Sequence, residues 1–200
     1  MRKLMSVVMV AGVMAAGAVA FGRDDAKSSA AAGSFKVDPV HSMVVFGIGH
    51  LGVSRVYGTF SMPTGTFLID AAEPSKSFID ISVETEKVNT GAGKRDDHLR
   101  SPDFFNAKEF PKMTFKSSSF EKGSGSSMMV KGDLTMIGET RPVTVSLEWL
   151  GEGNTAQGHK AGFEATFTIK RSEFGMTKYL EGDAIGDEVK LTVAIEGKRE

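Results

Sequence analysis

Residues 189–195 read Val-Lys-Leu-Thr-Val-Ala-Ile, with an apolar side chain at every second position. Successive side chains of a strand point to opposite faces, so this alternation describes a strand with one apolar face and one wet face. The period returns at Val143, Val145, Leu147 and Trp149, and far upstream at Val44, Phe46 and Ile48 and at Val56, Gly58 and Phe60. Working outward, strands are expected at 35–50, 53–62, 66–70, 79–83, 113–120, 128–136, 142–150, 161–169 and 188–196, with a Gly-rich loop at 151–158. The first is split near Asp38-Pro39, because proline donates no ladder hydrogen bond. Roughly eight strands with little room for helices between them imply a sheet closed on itself or packed on another. The expected fold is all-β, an extended eight-stranded antiparallel barrel, whose interior has room for side chains or for one small ligand.

The rhythm stops once. Gly91-Ala92-Gly93 leads into the charged run from Lys94 to Arg100, which suits a short surface helix. Ser101-Pro102-Asp103 then carries helix-start chemistry, a Ser cap, a proline at the first position and an acid in the first turn, ahead of Phe104-Phe105. Pro111 closes the segment. A short helical insertion is therefore expected around 92–110, placed as a lid or rim.

The N-terminus reads as a secretory signal. Arg2 and Lys3 precede an apolar stretch from Leu4 to Gly17, and Ala18-Val19-Ala20 fits the small-x-small cleavage pattern. The expected organisation is a signal peptide at 1–20, a flexible leader at 21–34 and one domain at 35–197, periplasmic or secreted and without stable membrane insertion once cleaved. The signal carries two of the 24 basic residues, so 22 face 25 acidic ones in the remainder. That balance lacks the concentrated basic face of a nucleic-acid binder. There is no cysteine, so the core alone holds the fold, and thiol chemistry and thiolate metal sites are excluded.

Gly47-Ile48-Gly49-His50-Leu51-Gly52 matches the pattern G-x-G-x-x-G, but a strand rather than a helix follows, so no helix N-terminus awaits a pyrophosphate. His41, His50, His98 and His159 form no metal-ligand spacing, and no metal site is expected. His50 shares the parity of Val44, Phe46 and Ile48. It reads either as a core-edge histidine bonded to backbone or as a polar group at a cavity mouth. The run from Lys94 to Arg100 is either a solvated helix face or a rim where Arg95, His98 and Arg100 meet a polar headgroup. Fourteen Phe stand against two Tyr and one Trp, and most of them, with Met113, Met136 and Met176, supply a large, soft apolar interior. No nucleophile with its base and no carboxylate pair stands out, so no catalytic residues are assigned and no enzyme is expected.

Several stretches together resemble one family. They are Phe35 to Ser42 (FKVDPVHS), His50-Leu51-Gly52-Val53, Lys94 to Phe105 (KRDDHLRSPDFF), Phe110 to Ser117 (FPKMTFKS), Val130 to Gly138 (VKGDLTMIG) with Arg141-Pro142-Val143, and Gly186-Asp187-Glu188-Val189. In order and spacing they resemble the YceI-like family. The resemblance implies an extended, lipocalin-like barrel, exported, that binds polyisoprenoids, isoprenoid quinones or fatty amides, with no catalytic residues in its motif. The chain departs from the pattern at Gly47 and Gly49, where bulkier residues are common, and at Tyr57-Gly58-Thr59, where a charged residue often stands.

On this reading the barrel sequesters or carries a long amphiphilic isoprenoid or acyl lipid as its partner, and needs no cofactor. The cavity wall is assigned to Phe46, Ile48, Phe60, Phe67, Ile81, Phe104, Phe105, Met113, Phe115, Leu134, Met136, Val145, Leu147, Phe163, Phe167, Leu191 and Val193, and the polar mouth to His50, Arg95, His98 and Arg100. The alternative is a periplasmic stress or interaction protein with a solid barrel and no ligand. A homodimer is compatible with either.

Overall fold

The computed structural model describes residues 33–200; the expected signal peptide and nearly all of the leader lie outside them. Among the described residues the strands are β1 (Phe35–Val37), β2 (Met43–His50), β3 (Ser54–Ser61), β4 (Thr64–Leu68), β5 (Phe78–Glu84), β6 (Val88–Asn89), β7 (Lys112–Lys122), β8 (Ser127–Met136), β9 (Glu139–Thr155), β10 (Gly158–Lys170) and β11 (Ile185–Arg199), with one α-helix, α1 (Gly93–Arg100), before β7. Every pairing is antiparallel.

Eleven segments make eight barrel strands. β11 pairs with β2 through Val189–Ala194 and with β1 through Gly197–Arg199, so β1 and β2 are halves of one strand. β4 pairs with β1 while β3 pairs with β2, and β5 pairs with β4 while β6 pairs with β3. The breaks fall at Pro39, at Met62-Pro63 and at a 3-10 turn over Thr85–Lys87. At the first two, proline cannot supply a ladder N–H. At the third, the fully buried Thr85 leaves the ladder and its hydroxyl donates to the Phe110 carbonyl. Counted this way, the sheet runs in chain order around a ring and closes where β11 meets β1 and β2. Closure pairs the two sides of the sheet, which removes the template for aggregation that an open edge presents.

Two expectations need correction. The stretch at 151–158 is mostly strand: β9 continues to Thr155 and pairs Gly151–Thr155 with β10, leaving a two-residue connection at 156–157. Ladder bonds use backbone groups, so a glycine-rich segment joins a sheet when its partner strand is fixed. The second half of the insertion is a chain of turns and not a helix. Ser101 ends α1, with its N–H donating to the His98 carbonyl, and Asn106 sits at φ 45°, a left-handed conformation that stops helical propagation.

The two ends of the interior are filled differently. At one end Phe35, Phe67 and Phe163 are 1 %, 0 % and 1 % exposed, with Phe35 stacked on Phe67 at 5.4 Å and Phe67 edge-on to Phe163 at 5.1 Å. They form a solid floor. At the other end the inward-facing Gly58 provides a notch for the Phe46 ring; a Cβ there would overlap that ring. Phe46 therefore lies against the wall instead of across the barrel. Gly47, which faces outward, is covered by the Tyr57 ring and does not widen the interior.

On the outer face of the wall, beside the break at Pro39, Lys160 and Glu196, opposite in parity to the buried Ala161, Phe163 and Ile195, meet Asp38 and His41. Lys160 Nζ lies 2.9 Å from Asp38 Oδ2 and 2.8 Å from Glu196 Oε1, and His41 Nδ1 lies 3.0 Å from the same Asp38 oxygen. Hydrogen bonds from Lys160 and then His41 hold the Asp38 carboxyl far below the usual carboxylate range, and Asp38 and Glu196 raise the Lys160 ammonium. A depressed carboxyl stabilises the fold above its unfolded value and loses that contribution as pH falls toward its folded value. Stability should therefore decline below about pH 4. The raised lysine acts at the other end, with its contribution complete below about pH 10 and lost above it. Asp38→Asn should flatten the acid limb in urea midpoints followed through the acid range, and an unchanged acid slope would remove Asp38 from this role.

Candidate functional site

The inward side chains leave two apolar spaces along the barrel axis. The upper chamber, about 340 Å³, lies under α1 and the turns after it, between β2, β3, β10 and β11. The lower, about 90 Å³, sits between the upper chamber and the floor. Strand parity builds both: Phe46, Ile48 and His50 on β2, and Leu191 and Val193 on β11, all turn inward. Met113, Met136, Ile169 and Leu191 border both chambers and form a neck between them.

Phe46, Ile48, Phe60, Phe104 and Phe105 line the upper chamber, as the sequence proposes. Ile81, Phe115, Leu134, Val145, Leu147, Phe163, Phe167 and Val193 line the lower, and Met113, Met136 and Leu191 line both. Phe67 borders neither chamber, because it is enclosed between Phe35 and Phe163 in the floor. The Phe104-Phe105 pair reaches the chamber through the turns: the Phe105 N–H donates to the Leu99 carbonyl, which folds the segment back over the barrel and sets the Phe105 ring edge-on to Phe60 at 5.2 Å.

The mouth opens beside Arg95 and Tyr179, both exposed. Asp96, 7 % exposed, accepts hydrogen bonds from the N–H and the hydroxyl of Thr90, anchoring α1 to the end of β6. Arg95 donates from Nε to the Thr90 hydroxyl at 2.7 Å and from Nη2 to the Thr90 carbonyl at 2.9 Å, which holds the guanidinium at the rim. His98 pairs through Nε2 with Asp103 at 2.9 Å and packs edge-on to Phe104. That bond first, with Lys178 beside it, lowers the Asp103 carboxyl below its ordinary value. His50 lines the chamber at the end of β2.

Arg100 stands elsewhere. Its guanidinium donates to the Glu86 and Val88 carbonyls and to Asp97 Oδ1, so it ties α1 to β6 and borders neither chamber. Sequence reasoning left out several lining residues, Val56, Ile169, Met176 and Tyr179 among them, and the one with most polar consequence is Arg171, 2 % exposed yet lining the upper chamber. Its Nε donates to the Gly186 carbonyl, Nη1 to those of Met176 and Lys178, and Nη2 to that of Ile185, at 2.8–2.9 Å. Burial pulls its pKa below the usual guanidinium value, opposed by the Asp187 carboxylate. These bonds hold the loop that brings Met176 and Tyr179 to the mouth. The signal was available, since Arg171 continues the inward parity of Phe163, Ala165, Phe167 and Ile169.

A closed antiparallel barrel with an apolar interior, solid at one end and open at a polar rim, defines the class of small extended β-barrels with a guest-sized cavity. Residues 35–197 match the YceI-like domain, and the chain belongs to that family. It is 41 % identical over 172 residues to Protein YceI of Salmonella arizonae, covering 84 % of this chain and 88 % of that protein. Among solved structures, Burkholderia cenocepacia BcnA superimposes with a TM-score of 0.71 at 24 % identity, covering 80 % of this chain and 98 % of that one. A polyisoprenoid-binding domain from Saccharophagus degradans, implicated in plant cell wall breakdown, does so with a TM-score of 0.59 at 13 % identity, covering 83 % and 98 %. These two likenesses are of fold.

Proposed function

We propose that the protein is exported and that its barrel sequesters or carries a long amphiphilic lipid, isoprenoid or acyl, with the tail in the chambers and the headgroup beside His50, Arg95 and His98. The observation that carries this reading is the apolar chamber of about 340 Å³ that opens at a rim where these polar side chains gather. A solid barrel with no guest is the alternative, and an open chamber of this size counts against it. Most of its wall is apolar side chains, and burying about ten methylenes there is worth roughly 8 kcal/mol gross. After ordering and association costs, affinity near micromolar is expected. Membership of the YceI-like family and the fold shared with a polyisoprenoid-binding domain support the same reading.

Organic extraction and mass spectrometry of gently purified protein should release a prenyl or acyl lipid in near-stoichiometric amount. Intact mass of the exported form should place its N-terminus after Ala20. Ile48→Trp sends an indole into the upper chamber and should weaken prenol or fatty-acid binding about tenfold, the equivalent of roughly two methylenes kept from burial. Protein that extracts empty and takes up neither prenyl nor acyl probes would overturn the lipid-binding reading.

A further inference from the structure

The neck between the chambers is built from side chains of unequal softness. Met113 and Met136 stand on the neighbouring strands β7 and β8, one residue beyond the Thr114–Thr135 pair, while Ile169 and Leu191 come from β10 and β11. The upper chamber, about 340 Å³, is the roomier of the two, and the lower, about 90 Å³, adds a short extension beneath the neck. A short prenyl tail is therefore held above the neck, a longer one must pass it, and the lower chamber offers little further room. Beyond the lower chamber lies the packed floor of Phe35, Phe67 and Phe163.

Resting on the lipid-binding reading, we infer that Met113 and Met136 form an adjustable neck that sets the tail length this barrel selects. A methionine has three rotatable bonds and a polarizable thioether, so it swings aside at small cost, whereas Ile169 is branched at its β carbon and stiff. A tail entering the lower chamber thus parts the two methionines and gains wall contact below them. Affinity rises while new carbons find wall, and levels off once the tail meets the floor.

The test is calorimetric titration of the delipidated protein with geraniol, farnesol and geranylgeraniol, which share one headgroup and differ only in isoprene count. A gain of about tenfold or more is expected from geraniol to farnesol, and less than about twofold from farnesol to geranylgeraniol, because the transferable area runs out. The double variant Met113→Ala/Met136→Ala should raise the geranylgeraniol-to-farnesol affinity ratio about tenfold by making room, and Met136→Phe should erase the geraniol-to-farnesol gain. Each readout is a ratio of two prenols in one folded variant, so a general loss of stability does not imitate it. If Met136→Phe does not fold, the alanine pair decides alone. An unbroken rise through geranylgeraniol that is identical in the wild type and the double variant would overturn the neck and leave lipid binding standing. Failure of the wild type to bind any prenol, with fatty acids bound normally, would overturn it for isoprenoid tails; failure of both probe classes sinks the binding reading itself.

Discussion

Arg171→Leu should lower stability by about 4–5 kcal/mol and the melting temperature by roughly 10–15 °C. The guanidinium is 2 % exposed and supplies four hydrogen bonds to backbone carbonyls, from Met176, Lys178, Ile185 and Gly186. Leucine fills part of the space but donates nothing, so four carbonyls lose their partner at once, and each buried acceptor left unpaired costs about 1–3 kcal/mol before relaxation. Arg171→Lys should recover only part of the loss, because an ammonium cannot reproduce the planar fork that meets carbonyls on both sides of the loop. Urea unfolding measures the loss directly. Prenol binding should fall with it, since Met176 and Tyr179 reach the mouth only while the loop is held. A loss below about 1 kcal/mol would mean that water replaces the guanidinium at these carbonyls without difficulty.

Phe163→Ala should cost about 3–5 kcal/mol, the range for a phenylalanine removed from a packed core. The ring is 1 % exposed, stands perpendicular to Phe67 at 5.1 Å, and borders the lower chamber. Its removal leaves Phe67 without its edge-to-face neighbour and joins the space it held to the lower chamber. The variant should thus be less stable yet accept longer tails, a pairing of effects that general unfolding does not produce. Urea midpoints give the first and the geranylgeraniol-to-farnesol affinity ratio the second. Loss of stability with no change in that ratio would show that the floor collapses into the vacated space.

Much of the barrel is legible in the sequence. Alternation along Val143–Trp149 and Val189–Ile195 assigns strands, and the break after Gly91 marks the one insertion. Parity also turns Phe46, Ile48 and His50 to the same side, where all three line the upper chamber. What periodicity misread has a common cause. The stretch at 151–158 is strand because β10 holds its backbone, and the residues after Ser101 turn because their hydrogen bonds run back to α1. In both, backbone hydrogen bonds to an adjoining segment outweighed residue preference. Phe67 and Phe163 share the same composition signal, yet one is sealed in the floor and the other borders a chamber. Arg100 and Arg95, five residues apart on one helix, divide between a tie to β6 and the rim.

The sequence by itself determined that this chain is a β-protein with alternating faces, without thiol chemistry, and rich in soft apolar side chains for the inside. These properties follow from the period of the strand and from composition, which are local. Only the tertiary structure decided that the ring closes through a strand paired with two halves of another, that Gly58 lets Phe46 lie flat, that Arg171 holds the mouth, and that two methionines divide the interior. Whether an apolar interior is full or open depends on how rings from strands far apart in the chain meet across the axis, and no local pattern encodes that meeting.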